Sequence, residues 1–446
     1  MGMPEVVPAQ HSSDSTEAQR PDFRLLRQQE DWRSYEGETK GLSALKHAPI
    51  TSHRTAFVTV GGEVRSYGRW FRHEQWGAGP ERDAYLLQRL MLHGAVEAPL
   101  SATGLRVRGF LQLKSGLVAD RSGPVYPPDR DRLGVNQGFV EVQGARSSTP
   151  SWTLRVGRQE LHYGAGRMIS VREGPNVRRG FDAVLGRYRS GSLRADVFVA
   201  RPTATPPGIL DNGWRRGRTL WGAYLRREKA SGAALALYYF GSNRTSAPVR
   251  PTLHTTRHTI GGRGRGAVGR LGYDVEAAVQ VGRYRSMGAE RAGTLRAWTA
   301  AGRVKYRFPG GTGQPTLGLL ADVSSGDRGG TAALETFVAP YPAGRYTGAG
   351  SRLGPGNLVN VRPYLGGRLG GGVAMQVRGH LFGRLRATDG VYAIWGAPLR
   401  DATGKARFVG AMPELFVTWT ARRHLTVALE ASHMVPGAYL SANPPA

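Results

Sequence analysis

The chain has 446 residues, 40% hydrophobic and 21% charged, with 63 glycines, a composition that fits an ordered protein rather than a disordered one. Sixty-one basic residues against 33 acidic ones give a net charge of +28. The lack of cysteine excludes disulfides and cysteine-ligated zinc, and no run of about 18 apolar residues supplies a transmembrane helix.

Only six of the basic residues are lysine (positions 40, 46, 114, 229, 305 and 405), which leaves 55 arginines. Arginine presents a planar fork that matches carboxylate or phosphate two-handedly. A GC-rich genome would also favour arginine over lysine, but it does not produce the excess of bases over acids. That excess points to an anionic partner.

Residues 1–21 are polar and rich in Pro and Ser, and are expected to be disordered. They show neither a basic n-region nor an apolar h-region, so no secretory signal is legible. A secreted reading therefore expects a start upstream or a signal already removed. Residues 22–30 read as a first strand or a short helix. From residue 56 the period is two. Val58, Val60 and Val64 alternate with Thr59, Glu63 and Arg65; Leu90, Leu92 and Val96 alternate with Arg89, His93 and Glu97. Leu105, Val107, Leu111 and Leu113 stand opposite Arg106, Arg108, Gln112 and Lys114. Further on, Val197 and Val199 oppose Arg194 and Asp196, and Val275, Val279 and Val281 oppose Asp274, Glu276 and Gln280. Val304 and Tyr306 oppose Arg303, Lys305 and Arg307; Met375, Val377 and Leu381 oppose Gln376, Arg378, His380, Arg384 and Arg386; Leu425, Val427 and Leu429 oppose Thr426 and Glu430.

About 17 such segments follow residue 55, and counting 22–30 gives 18. Alternation sustained this long exceeds the usual globular strand and suits a tilted membrane-spanning one. Tight links (144–151, 189–192, 228–232, 268–271, 420–423) alternate with long Gly/Pro/Arg-rich ones (120–135, 162–179, 202–217, 242–256, 326–358, 387–405). The expected fold class is therefore all-β, a single transmembrane antiparallel barrel of about 18 strands spanning residues 22–440, with a C-terminal tail at 441–446. The long links at 31–55 and 71–83 break the alternation if 22–30 is a strand. Faces follow from cost. An arginine facing lipid near the bilayer midplane costs about 2–4 kcal/mol, so a one-residue slip of 375–386 would expose Arg378, Arg384 and Arg386 to lipid. The arginines must face a lumen. Trp70, Trp152, Trp221, Trp298, Trp419 and Tyr439 lie near strand ends, where interfacial aromatic girdles occur.

At 154–183, LRVGRQELHYGAGRMISVREGPNVRRGFDA resembles the signature of the alginate-export family of bacterial outer-membrane barrels. In-register matches continue through YLLQRLMLHG (85–94), GFLQLKSGLV (109–118), LWGAYLRR (220–227), RHTIGGR (257–263), GLLADVSSGD (318–327) and LGPGNLVNVRPYL (353–365). The resemblance implies an 18-stranded barrel in the Gram-negative outer membrane, with a narrow arginine-rich lumen passing an anionic polyuronate. Two departures are the unreadable signal and an ending in Ser-Ala-Asn-Pro-Pro-Ala rather than in a strand with a terminal aromatic. Matched residue by residue, the motif places Arg158, Gln159, Tyr163, Arg167, Arg172, Asn176, Arg178 and Asp182 at a constriction formed by an inward loop; bracing of that loop by Arg–Asp pairs is the plainer reading of the same residues. Arg106, Arg108, Arg194, Arg303, Arg307, Arg362, Arg368, Arg378, Arg384 and Arg386 would form a ladder for carboxylates, or simply brace strands.

Other motifs carry little. Gly264-Arg265-Gly266-Ala267-Val268-Gly269 matches GxGxxG, but within an alternating strand and turn that no helix follows. HExxH, Walker A and GxSxG patterns are absent, the eleven histidines are scattered, and Asp322 and Asp327 fit a polar strand end; no cofactor or metal is expected. The function expected is an outer-membrane channel for an alginate-type polyuronate, with anionic saccharide or small acids as solutes, membrane lipid as surroundings, and periplasmic export machinery left open. The alternatives are a general anion porin, a barrel-shaped lipid or polysaccharide hydrolase and, last, a nucleic-acid binder. The last would gather its bases on one face rather than on every strand.

Overall fold

A computed structural model describes residues 21–444, apart from 34, 36–40, 54, 78, 101–103, 145–149, 246–252, 287–291, 311–312, 349 and 351–352. All but the last residue of the expected disordered segment 1–21 lies outside the described residues. Among those described, seventeen long strands follow residue 56. They are β1 (Phe57–Arg72), β2 (Arg82–Leu100), β3 (Leu105–Ala119), β4 (Asp131–Gln143), β5 (Ser151–Gln159) and β6 (Phe181–Ser190). Next come β7 (Leu193–Pro202), β8 (Arg218–Glu228), β9 (Ala234–Arg244), β10 (Leu253–Val268), β11 (Leu271–Ser286) and β12 (Ala292–Arg307). The last are β13 (Thr316–Ser324), β14 (Leu358–Gly370), β15 (Val373–Arg384), β16 (Phe408–Arg422) and β17 (Leu425–Ser432). Each pairs antiparallel with its chain neighbour in one barrel sheet.

The expected strand at 22–30 is absent. That stretch is extended, with one 3-10 turn at Arg27–Gln29. Its polar side chains are engaged elsewhere: Arg27 pairs with Glu30 three residues on (2.9 Å) and reaches Glu63 of β1 (3.3 Å). With no strand there, the two long links no longer conflict. The short connections 191–192, 229–233, 269–270, 371–372 and 423–424 all fall at one end of the barrel, the turn end. The loops 73–81, 120–130, 160–180, 203–217, 325–357 and 385–407 fall at the other, the loop end.

The wall is inside-out relative to a soluble protein. Leu90 and Leu92 are 51% and 54% exposed, whereas Arg89 and Met91, which alternate with them, are 2% and 1% exposed. Val275 and Val279 are likewise exposed, with Asp274, Glu276 and Gln280 buried. Apolar residues face the bilayer because there they displace no hydrogen-bonding water, and ionised ones face inward because lipid offers them no partner. Trp70 and Trp298 are exposed towards the loop end, Trp152 and Trp419 towards the turn end, as girdles would be. Tyr439 departs from that expectation. It is fully buried in a short helix, Ala438–Ala442, so the chain does not run out as a plain tail from 441.

The inner wall is not basic throughout. On β6 to β9 its middle band is apolar, with Leu185, Phe198, Ala200, Leu220, Tyr224, Tyr238 and Phe240 buried against loop residues inside the barrel. The edge strands β1 and β17 both run from turn end to loop end, so they lie parallel to one another. Among the described residues no backbone ladder joins them; the Tyr67 hydroxyl donates to Glu430 at 3.5 Å across this seam.

Candidate functional site: a lumen filled by three segments

Two loops and the N-terminal segment fold into the barrel and meet there. Loop 160–180 and loop 325–357 zip together in the backbone. The Ser170 N–H donates to the Tyr341 carbonyl (2.8 Å), the Tyr341 N–H to Met168 (2.8 Å) and the Ala343 N–H to Gly166 (2.9 Å). On their apolar side, Leu161, Tyr163, Met168, Ile169, Phe337 and Tyr341 pack against β6 to β9. Gln280 of β11 donates to the Val338 carbonyl (3.1 Å), and Arg345 bonds Glu430 of β17 (2.6 Å).

The polar side of loop 160–180 lies on β1 to β4. Arg65 of β1 donates to the Glu173 and Pro175 carbonyls (2.9 and 2.8 Å), and Arg89 of β2 grips the carboxylates of Glu63 and Glu173. Arg178 is 1% exposed and sits between Glu160 (2.9 Å) and Glu173 (3.3 Å). Asn176 gives its amide hydrogens to the carbonyls of Gln88, Leu117 and Asp129 (3.0–3.1 Å). Arg172, in left-handed backbone (φ 60°), donates to the Val177 carbonyl (3.0 Å) and braces its own turn. At the other end of the loop, Arg167 meets Glu276 (2.9 Å), Asp322 (3.7 Å) and Asp274 (3.9 Å) on β11 and β13.

The remaining motif residues separate. Gln159 is buried and donates to the Ala183 carbonyl (3.1 Å). Tyr163 stacks on Phe198 (5.4 Å between centroids) within the apolar cluster. Arg158 and Asp182 pair with each other (2.8 Å) as cross-strand partners, in step with outward Val156 and Val184, so they sit on the outer face near the loop end rather than in the lumen.

Along the ladder, Arg108 bonds Glu97 (3.1 Å) and lies 3.6 Å from Glu141, which also accepts from Arg155 (2.6 Å). Arg194 and Arg187 clamp Asp196 (2.6 and 2.8 Å), Arg303 reaches Asp274 (3.5 Å), and Arg378 bonds Glu414 (3.1 Å). Arg106 and Arg362 face inward on β3 and β14, and Arg307 and Arg368 share that face near the turn end. Arg384 donates to the carbonyls of Asp389 (2.9 Å) and Gly404 (3.0 Å) and lies 3.9 Å from the Tyr439 ring centroid, so it holds loop 385–407 and the C-terminal helix together. Arg386 lies just beyond β15, where its backbone N–H donates to Asn357 (2.7 Å). Of the ladder arginines, Arg108, Arg194, Arg303 and Arg378 thus meet protein carboxylates, and four of the carboxylates that lumen arginines engage (Glu141, Glu160, Glu173 and Glu414) were not singled out in the sequence.

The third segment, 22–47, also lies against inward residues. Arg108 donates to the Gln28 carbonyl (2.7 Å), Gln137 to the Gln28 side chain (3.1 Å) and Arg178 to the Leu25 carbonyl (2.8 Å); Leu26, Gln28, Glu30, Trp32 and Tyr35 are buried. Within loop 160–180, burial pushes the His162 imidazole down to about 4. In the unfolded chain the ring takes its proton near the ordinary value of about 6.5. Its contribution to stability is therefore complete above that value and is lost as pH falls from about 6.5 towards 4. Melting of the wild type should drop across this window and that of His162→Asn should drop less; equal slopes in thermal unfolding would remove His162 as the cause.

A sequence model of the alginate-export family matches residues 57–446. Among solved structures, a BenF-like porin from Pseudomonas fluorescens Pf-5 is similar in fold at TM-score 0.55 and 10% identity, over 85% of this chain and 93% of that one. OccK2 (OpdF) of Pseudomonas aeruginosa in complex with glucuronate gives TM-score 0.53 and 14% identity, over 87% and 94%. OccK9 (OpdG) of the same organism gives 0.54 and 14%, over 86% and 94%. At such identities the likeness establishes the fold, that of outer-membrane β-barrel porins. A search of curated proteins finds no match.

Proposed function

We propose, from the premise that this chain belongs to the alginate-export family, that its outer-membrane channel passes acidic saccharides, with an alginate-type polyuronate as the principal cargo. The short-turn end would face the periplasm, as in outer-membrane barrels generally. The observation that carries the reading is a network of arginine–carboxylate pairs on the inward loop and β1 to β2, from Arg65 and Arg89 through Glu63 and Glu173 to Arg178, with a second group of pairs at Arg108, Glu97 and Glu141 on β2 to β4. Such a surface can trade one carboxylate for another. Arg89 and Arg178 are buried, so leaving either one unpaired would be costly, but swapping one carboxylate for another keeps each arginine paired while cargo enters and leaves.

A second reading, uptake of small sugar acids, is favoured by how much of the lumen the three segments occupy, and the glucuronate complex of OccK2 is a fold neighbour that holds such a ligand. Single-channel recording of refolded protein in a planar bilayer separates the two. Anion-selective openings blocked by polymannuronate support the polymer; anion-selective openings indifferent to it, with glucuronate permeating, support the small acid. Cation-selective openings sink both.

A further inference from the structure

Among the described residues, one group of lumen arginines pairs with no carboxylate. Arg218, Arg244 and Thr255 are direct cross-strand partners on β8, β9 and β10, all turned inward near the loop end. Arg257 is two residues along the same face of β10 as Thr255. From the two zipped loops, Arg179 and Tyr341 close over them: the Tyr341 ring has the Arg179 guanidinium at 5.1 Å and that of Arg244 at 5.2 Å from its centroid. Arg215, exposed on loop 203–217, stands at the outer side.

What these arginines do bond is neutral. Arg257 donates to the Gln280 amide oxygen (2.6 Å), Arg179 to the Ser170 carbonyl (3.4 Å) and Arg244 to the Pro340 carbonyl. Among the described residues, the groups bearing on Arg179, Arg218, Arg244 and Arg257 are other arginines and Tyr341, never an acid. Like charges placed directly across a sheet repel, and buried charges without counter-charges are costly. Two hydroxyls in the same place have no acceptor among the described residues. Among those residues, Thr255 Oγ1 is buried with no hydrogen-bond partner, and the buried Tyr341 Oη lies beside the Arg244 guanidinium with no acceptor for its own proton, in residues 2% and 5% exposed. Elsewhere in the lumen the rule is the reverse, with Arg89, Arg108, Arg155, Arg167, Arg178, Arg187 and Arg194 each meeting a carboxylate.

We propose that Arg179, Arg218, Arg244 and Arg257, with the hydroxyls of Thr255 and Tyr341, form a discrete binding site for the carboxylate of a sugar acid, on the loop-end side of the zipped loops. The guanidiniums supply the charge-assisted donors, and the two hydroxyls each donate once to the same carboxylate or to an adjacent sugar oxygen. Arg215 and Arg218 make the approach, and the apolar face of β6 to β9 lies beneath. The site rests on the acidic-saccharide reading for its ligand, but not for its existence as an anion site. Burial pushes Arg179 well below its ordinary value, with Arg172 adding to the shift, the expected state of a cation awaiting a counter-ion.

The test is isothermal titration of the full chain in detergent with glucuronate, and with glucose as the uncharged match. Wild type should bind glucuronate and not glucose. Arg257→Gln should weaken binding at least tenfold, and Tyr341→Phe and Thr255→Val, which delete one hydroxyl each and leave the fold intact, several-fold. Glucuronate binding unchanged in Arg257→Gln and Tyr341→Phe, equal binding of glucose, or no binding by wild type each overturns the site. Reversal potentials measured on the same variants keep the two readings apart. Anion selectivity without glucuronate binding removes the site and leaves the channel; binding without anion selectivity removes the channel and leaves the site.

Discussion

Arg167→Glu is expected to release the inward loop and widen the pore. The wild-type guanidinium is 4% exposed and faces Glu276, Asp274 and Asp322 together, so the substitution gathers four carboxylates in one buried place. Removing one partner from a buried ion pair typically costs about 3–5 kcal/mol, before any added repulsion. The barrel wall does not depend on this contact, since β11 to β13 pair through their own backbones. The loss should therefore appear locally, as detachment of loop 160–180 from β11 and β13 and of loop 325–357 zipped to it. Single-channel conductance should rise several-fold, and limited trypsin digestion should cut after loop arginines that the wild type protects. Arg167→Gln, which removes the pairing without adding charge, should give a smaller change in the same direction. Wild-type conductance and protease resistance in Arg167→Glu would mean that packing on the apolar cluster alone holds the loop.

The second large effect is expected from a chain that begins at residue 48. The segment it lacks carries Leu26, Trp32 and Tyr35 into the lumen and accepts from Arg108 and Arg178 through backbone carbonyls. Both arginines keep carboxylate partners without it, Arg108 in Glu97 and Arg178 in Glu160 and Glu173, so the wall is left satisfied and should still fold. The family match begins at residue 57 and does not include this segment. Conductance of the shortened chain should exceed that of the full chain several-fold, with a further gain when combined with Arg167→Glu, because the two changes act on different sides of the lumen. Equal conductance of short and full chains would show that ions already bypass the segment.

The strands were legible because one-residue alternation between lipid and lumen leaves no freedom. Leu90 beside Arg89, or Val377 beside Arg378, can be satisfied in one register only. Seventeen of the expected strands stand where the period of two placed them. The eighteenth does not, since the stretch around Arg27 has charge without alternation. The inward fold of loop 160–180 was suggested by its arginines. Its direction across the lumen, by contrast, is set by Glu276 and Arg65, more than a hundred residues from the loop residues they hold, on either side. Loop 325–357 and the segment at 22–47 could not be foreseen. Their lodging depends on a backbone pairing of Tyr341 with Ile169 and on apolar side chains such as Trp32 that would read equally well as surface anchors. The outward pair Arg158–Asp182 illustrates the same limit: a motif identifies residues but not the side of the wall they face.

The carboxylates of Glu63, Glu97, Glu141 and Glu173 are chemically a stationary copy of a uronate chain, laid along the guanidiniums in advance. On the polyuronate reading, a polymer passing this stretch would meet guanidiniums that are already paired, unlike the uncompensated arginines on β8 to β10. Each step along the stretch would replace one carboxylate by another of nearly equal basicity, an exchange close to thermoneutral. The free-energy profile along this stretch would stay level whether it held one sugar or many. Flux through such a path should depend on how fast partners swap rather than on how tightly any of them binds.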